Sequence, residues 1–162
     1  MGTKKQLPRN GSCFTNPIHF IACAFGFGAL PWAPGTWATL AAIPIIMALK
    51  HFPDAVYLLI TFAMIIAGVY VCGVTNRDFG TEDHPACAWD EMASFPLVMF
   101  AVPLTFWHMV VAVILFRLFD IIKPWPIRWL DRNIHGGLGV MLDDVVAAIF
   151  SWIILQIIIR LI

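Results

Sequence analysis

Two pairs of adjacent carboxylates are the residues of this sequence best suited to chemistry. Asp90 and Glu91 open one apolar run, and Asp143 and Asp144 come directly before another. Neighbouring carboxylates at the edge of an apolar segment repel each other unless a cation lies between them. Oxygen ligands favour magnesium or calcium. The pairs therefore predict a divalent metal site, while the alternative for Asp90 and Glu91 is that they only complement a helix dipole.

A group of charged residues ahead of the second pair could bind and attack a phosphate. Arg117, Asp120 and Lys123 follow one another at intervals of three, so they share one face of a helix. Arg117 and Lys123 suit a phosphate group, and Asp120 suits metal coordination or the orientation of an attacking water. Pro124 and Pro126 then predict the end of that helix.

Two glycine-containing segments could bring their backbone close to a ligand. In the range 31–39, the backbone N–H groups of Gly35 and Thr36 and the Thr36 hydroxyl could form an anion site at a helix start. The alternative is an ordinary loop that ends with Thr36 or Trp37 as helix N-cap. The glycines of the range 136–139 predict a flexible turn beside the second carboxylate pair.

Four further polar residues have two interpretations each. Asp83 and His84 could assist a leaving oxygen, or they could only form a turn before Pro85. Arg128 and Arg132 could belong to a phosphate site or contact lipid headgroups.

The composition indicates a membrane protein of one domain. Hydrophobic residues make up 60% of the 162 residues and charged residues 12%, whereas soluble domains are about 25% charged. The net charge is zero and no basic run is present, which argues against a nucleic-acid partner. The four cysteines show no metal-binding spacing and no disulfide framework, so we expect small buried thiols.

The apolar segments predict an all-α, multi-pass integral membrane protein with short or broken membrane segments and interfacial polar loops. Residues 55–74 form an uncharged run of the length needed to cross a bilayer, about 20 residues. The runs 18–30 and 40–52 are shorter, and 145–159 forms a final helix. We treat 1–17 as a cytosolic tail and 18–162 as the helical core of the single domain.

The segment 92–115 decides whether the two carboxylate pairs can meet. If 37–52 and 55–74 both cross the membrane and 92–115 crosses once, the pairs lie on opposite sides. A single metal site requires them together. We therefore expect 92–115 to enter and return as two short segments broken near Pro96 or Pro103, which is permitted where protein covers the break.

Four sequence blocks contain most of the polar residues: FGFGALPWAPGTWATL (25–40), DHPACAWDE (83–91), FRLFDIIKPWPIRWLD (116–131) and GGLGVMLDD (136–144). In order and spacing they resemble the membrane phosphatidylglycerophosphatase A family. The resemblance implies magnesium-dependent removal of the terminal phosphate from phosphatidylglycerophosphate, giving phosphatidylglycerol, at the bacterial inner membrane. Three small-residue positions differ from the family: Ala38 replaces a glycine, no glycine follows soon after Glu91, and Ala148 replaces the glycine of an Ala-Gly pair.

The expected roles of the site residues follow from what a phosphomonoester needs: metal, phosphate donors and a positioned nucleophile. The sequence has no DxDxT motif and no Cys-x5-Arg loop, so attack by water activated by Mg²⁺ is favoured over an aspartyl or cysteinyl intermediate. We expect Asp90, Glu91, Asp143 and Asp144 as metal ligands, Asp120, Asp143, Asp144 and Lys123 as catalytic residues, and Gly35, Thr36, Arg117 and Lys123 as phosphate ligands.

Other functions are compatible with parts of the pattern. One alternative is another membrane lipid phosphomonoesterase or phosphotransferase, although the DGxxAR and DDxxD motifs of two such classes are absent. A small cation transporter subunit would place charges inside its spans, whereas these acids lie at segment ends. A structural membrane subunit would not explain why acids, lysine and glycines cluster. By the rule that basic residues face the cytosol, the site should lie on the cytosolic side.

Overall fold

The computed structural model of the chain describes residues 13–161, and every regular element in that range is a helix. This confirms the all-α prediction. In chain order the elements are α1 (Pro17–Ala22), a 3₁₀ helix (Ala24–Ala29), α2 (Pro34–Leu49), α3 (Asp54–Phe79), α4 (Trp89–Val98), α5 (Phe106–Ile122), α6 (Ile127–Asn133) and α7 (Gly136–Leu161).

Two helices in the described range, α3 and α7, are long and apolar enough to cross a membrane. Each has 26 residues, which corresponds to about 39 Å. Both helices are longer than predicted. The predicted ranges ended at polar residues, whereas the structure continues each helix through them. Helix α3 continues past residue 74 to Phe79 and ends at Gly80, whose φ of 70° suits a helix C-terminus. Helix α7 begins at Gly136 instead of 145.

The glycines of the range 136–139 do not form the predicted flexible turn; they are the first residues of α7. Gly137 and Gly139 allow close packing. A Cβ atom added to Gly137 would lie 1.9 Å from the Val69 carbonyl oxygen on α3, and one on Gly139 would lie 1.9 Å from the Ile134 carbonyl oxygen. Small residues let two helix backbones approach in this way. Helix α7 therefore packs tightly on α3 just before the second carboxylate pair.

The segment between α4 and α5 contains the expected break. Helix α4 ends at Val98 and α5 begins at Phe106. The break includes Pro103, whereas Pro96 lies inside α4. As a result α4 leads away from the carboxylates at its start and α5 returns toward them.

Side chains of α3, of α7 and of Lys50, which follows α2, pair carbonyl groups in and next to this break. The Tyr57 hydroxyl donates to the Pro96 carbonyl at 2.7 Å, Lys50 Nζ donates to the Val102 carbonyl at 2.8 Å, and Trp152 Nε1 donates to the Phe100 carbonyl at 2.8 Å. Irregular backbone in apolar surroundings requires such partners. These hydrogen bonds stabilise the break, which lies at the end of the protein opposite to the carboxylates.

The N-terminal part of the described chain is packed, which the prediction of a tail did not foresee. Residues 1–12 of that predicted tail lie outside the described residues. Cys13 is fully buried and forms a disulfide with Cys23, which corrects the expectation of four thiols. Cys72 and Cys87 are buried thiols, as expected. His19 of α1 contacts Asp78 at the end of α3, with 2.9 Å between Nε2 and Oδ2.

Candidate active site

Three carboxylates from two helices converge at one end of the helical bundle. Asp90 and Glu91 lie in the first turn of α4, and Asp144 lies in α7. Each offers one oxygen, and these oxygens all lie within 4.8 Å of one another. The fold thus brings together acids from the two pairs, as a single site requires, because α4 and α7 both begin at this end.

One oxygen of each of these acids is buried without a hydrogen-bond partner among the described residues. The three atoms are Asp90 Oδ1, Glu91 Oε2 and Asp144 Oδ2. Buried carboxylate oxygens almost always have a partner, since an unpaired buried charge is costly. The cluster therefore has the free oxygen atoms that a divalent cation would need.

Asp143 has different neighbours from Asp144. Its Oδ2 accepts from Lys123 Nζ at 2.5 Å, and its Oδ1 accepts from the backbone N–H of Asp144 at 3.1 Å. Both of its oxygens are therefore engaged, and it lies outside the three-residue cluster. Asp143 and Asp144, which were both predicted to be metal ligands, therefore have different partners in the structure.

Lys123 ends α5 in a conformation that is unfavourable for most residues. Its φ is +46° and its ψ is 62°, in the left-handed region, where a non-glycine residue is strained. Its Nζ contacts Asp131 Oδ1 at 2.6 Å as well as Asp143. Burial alone would lower the pKa of Lys123, but the hydrogen bonds to these two carboxylates raise it above its usual value. The lysine is therefore held protonated.

Arg117 joins α5 to α4. Its Nη1 lies 2.7 Å from Asp120 Oδ2 and 3.2 Å from Glu91 Oε1. Arg117 and Asp120 are three residues apart on α5, as the sequence pattern predicted for a pair on one helix face. The bond to Glu91 places a cation beside the carboxylate cluster.

Gly35 provides the space for this ion pair. A Cβ atom at this position would lie 1.9 Å from Glu91 Oε1 and 2.7 Å from Arg117 Nη1. Helix α2 begins at Pro34, so the prediction of Thr36 or Trp37 as its N-cap is wrong. Proline is favoured at a first helical position because its missing N–H has no partner there in any case.

A cavity of about 240 Å³ connects these groups. Thr36 is half-buried and does not line it, so the geometry does not support Thr36 as a phosphate ligand. Arg128 and Arg132 also lie outside its lining. Ten other predicted site residues line it: Gly35, Asp83, His84, Asp90, Glu91, Arg117, Asp120, Lys123, Asp143 and Asp144.

The loop before α4 shapes one wall of this cavity. The backbone N–H of His84 donates to Asn76 Oδ1 at 3.0 Å, and His84 Nδ1 accepts from the backbone N–H of Ala86 at 3.1 Å. Burial lowers the pKa of His84, which keeps the imidazole neutral and able to accept. His84 thus organises the turn. Asn76 and Asp131 were not among the predicted site residues. For Asn76, the available signal was its position at the polar end of an apolar helix.

Apolar helices of membrane-crossing length, with acids and cations around a cavity at one end, define a membrane-associated enzyme of the kind that acts on phosphate esters. A family model described as Phosphatidylglycerophosphatase A matches residues 20–159, and the chain belongs to this family. It is therefore a phosphatase, as the resemblance implied, and the transporter and structural-subunit alternatives are wrong.

Named relatives agree with this assignment. The chain is 41% identical over 148 residues to Phosphatidylglycerophosphatase A of Escherichia coli (strain K12), covering 91% of this chain and 86% of the relative. It is 40% identical over 141 residues to the protein of the same name in Haemophilus influenzae, covering 86% of each. A Putative phosphatidylinositol-3-phosphatase of Bacteroides thetaiotaomicron is 36% identical over 145 residues, covering 85% of this chain and 90% of the relative. No solved structure matches.

Proposed function

We propose that this protein hydrolyses the terminal phosphate of phosphatidylglycerophosphate, giving phosphatidylglycerol and inorganic phosphate. The names of the Escherichia coli and Haemophilus relatives support this substrate. The observation that carries the proposal is the cluster of Asp90, Glu91 and Asp144, with its unpaired buried oxygens beside Arg117 and Lys123. Six acids and two cations line the cavity, so a phosphate dianion would bind there together with a divalent cation.

Magnesium is the cofactor that best fits the donor set. The three carboxylates offer hard oxygen atoms, which Mg²⁺ prefers. We assign Asp90, Glu91 and Asp144 as its ligands, and we assign Asp143 to Lys123 instead. A divalent ion held there would supply positive charge to the phosphoryl oxygens and acidify an attacking water.

The chain's own groups have distinct tasks in this proposal. Lys123 and Arg117 bind the phosphoryl oxygens, and Asp143 and Asp131 hold the Lys123 ammonium in position. Asp120, paired with Arg117, orients the nucleophilic water. Asp83, which lines the cavity, is the candidate for passing a proton to the leaving glycerol oxygen.

The charge distribution supports a cytosolic active site in a multi-pass protein of the bacterial inner membrane. The end of the bundle with the cavity has five basic residues, while the opposite end of the described chain has Lys50 and Arg160. The five residues are Arg77, Arg117, Lys123, Arg128 and Arg132. Basic residues accumulate on the cytosolic side.

Cysteine labelling tests this arrangement. Single cysteines placed at positions 80 and 135 should both be labelled from the cytosolic side; labelling from opposite sides would overturn the arrangement.

The experiment that tests the function is phosphate release by the purified protein in uncharged detergent, with and without Mg²⁺. Phosphatidylglycerophosphate should release phosphate only with Mg²⁺, the Asp144→Asn variant should release almost none, and Arg160→Ala should match the wild type. Phosphatidylinositol 3-phosphate is the competing substrate, because of the name of the Bacteroides relative. Faster turnover of that lipid would replace the proposed substrate.

A further inference from the structure

A second recess adjoins the catalytic cavity at the end of α5 and along α6. Its volume is about 620 Å³, and its lining includes Lys123, Trp125, Arg128, Trp129 and Arg132. Lys123 lines both the recess and the catalytic cavity. The two cavities therefore meet at this lysine.

The two arginines of the recess differ from the cations of the catalytic cavity in their ion pairs. Arg128 and Arg132 are exposed and form no ion pair within residues 13–161. They are four residues apart on α6, so their side chains share one face. By contrast, Arg117 and Lys123 in the catalytic cavity each pair with two carboxylates. Two unpaired guanidinium groups beside a phosphate site suit a second phosphate.

The tryptophans place the recess at the level of lipid headgroups. Trp125 is 82% exposed and Trp129 is 54% exposed. Tryptophans with one exposed face are typical of the membrane–water interface, where an apolar ring meets polar headgroups. A phosphate that is attached to acyl chains lies at this depth.

We infer that the recess binds the phosphodiester of the lipid substrate through Arg128 and Arg132, while the terminal phosphomonoester occupies the catalytic cavity. This inference rests on the proposed function, because phosphatidylglycerophosphate has both groups joined by one glycerol. Lys123 lies between the two phosphates. The recess thereby selects lipids that have two phosphates over lipids such as phosphatidate, which have only the terminal one.

The test measures whether the arginines act through the charge of the phosphodiester. Two substrates are compared in uncharged detergent with Mg²⁺ and no other anionic lipid: phosphatidylglycerophosphate, and its analogue in which the phosphodiester is methylated to a neutral triester. The variants are Arg128→Gln, Arg132→Gln and the double variant. Arg77→Gln is the matched control, since Arg77 is an exposed arginine at the same end of the bundle and outside the recess.

The expected result is an interaction between variant and substrate. On the diester substrate the double variant should lose roughly 10-fold or more in kcat/KM, the size expected when charge-assisted hydrogen bonds are removed. On the neutral analogue, wild type and double variant should have equal kcat/KM, and Arg77→Gln should match the wild type on both substrates.

Other outcomes overturn the inference in distinguishable ways. An equal loss on both substrates would show that the arginines do not recognise the phosphodiester. A loss that occurs only when phosphatidylserine is added would assign them to bulk anionic lipid. If the wild type releases no phosphate from phosphatidylglycerophosphate, the proposed function fails, and with it this subsite; release without the interaction rejects the subsite alone.

Discussion

Lys123 Nζ lies 2.5 Å from Asp143 Oδ2, and this contact gives two neighbouring acids different surroundings. Asp143 has both oxygens engaged, whereas Asp144 has a buried oxygen without a partner within residues 13–161 and faces Asp90 and Glu91. Adjacent residues in a helix point about 100° apart, so one turn of α7 can supply both a metal ligand and an anchor for a lysine.

Substitution of the two acids should have separable effects. Asp144→Asn removes a proposed metal ligand, so activity should fall roughly 100-fold or more and the Mg²⁺ concentration for half-maximal activity should rise. Asp143→Asn removes one of the two carboxylates that hold the Lys123 ammonium, so kcat should fall while the Mg²⁺ requirement is unchanged. The measurement is a Mg²⁺ titration of phosphate release. An unchanged Mg²⁺ requirement in Asp144→Asn would reject that residue as a ligand.

The acid cluster should destabilise the protein when no cation is bound. Three carboxylates within 4.8 Å repel one another. In the presence of a chelator, Asp90→Asn should therefore raise the midpoint of thermal unfolding, by roughly 2–4 °C for each kcal/mol gained. Mg²⁺ should raise the midpoint of the wild type and have little effect on the variant, since binding to the folded state stabilises it. If Mg²⁺ does not change the unfolding midpoint of the wild type, the result would argue against a metal site in this cluster.

Two glycine-to-alanine substitutions should separate activity from stability. In Gly35→Ala the new methyl group overlaps Glu91 Oε1, so Arg117 and Glu91 must move and activity should fall by at least roughly 10-fold. Gly136→Ala meets no atom within 4 Å, but its φ is +72°, so it should cost about 1 kcal/mol of stability and retain activity. The measurements are phosphate release per folded molecule and thermal unfolding. Full activity in Gly35→Ala would contradict the close contact between Gly35 and the Glu91 carboxylate.

Substitutions of Lys123 should show the strain of its left-handed backbone. Lys123→Gly and Lys123→Ala both remove the ammonium, so both should lose about 2–4 kcal/mol of transition-state stabilisation. Glycine tolerates a φ of +46°, so the glycine variant should be about 1 kcal/mol more stable than the alanine variant. Equal stabilities would indicate that the backbone relaxes without the side chain.

The neutral imidazole of His84 should make stability depend on pH. Its folded-state pKa is lowered by burial, so the unfolded chain binds the proton more readily. The stabilisation is present above the unfolded pKa, about 6.5, and is lost as the pH falls below it. His84→Asn keeps a side-chain acceptor for the Ala86 N–H and does not titrate. Its unfolding midpoint should fall less than that of the wild type between pH 7 and pH 5.5, roughly the window in which histidine gains its proton. Parallel curves would show that His84 does not contribute.

The class of fold and the groups of the site could be predicted from sequence because each depends on local chemistry. The uncharged apolar run of α3, the proline stop after α5 and the spacing of Arg117 and Asp120 are local properties. The break between α4 and α5 followed from the requirement that both acid pairs share one side.

The remaining features depend on contacts between distant segments. Whether Asp143 or Asp144 faces the cluster is set by the rotation of α7, and this rotation depends on how Gly137 packs against Val69. The pairing of Glu91 with Arg117 joins residues 26 positions apart. Neither leaves a periodic signal in the sequence. The glycines of α7 were misinterpreted for the same reason, since a close helix–helix approach and a flexible turn both require glycine.

One of the bonds that pair the break between α4 and α5 depends on the last helix that the ribosome makes. The Phe100 carbonyl obtains its donor from Trp152, which the ribosome adds only after both helices have been made. Asp144 is added late as well, and it completes the cluster from the same helix. A nascent chain that ends before α7 would thus lack the Trp152 donor for the Phe100 carbonyl and the Asp144 carboxylate of the cluster. We therefore expect the packing of α7 against the other helices to complete both the break and the site.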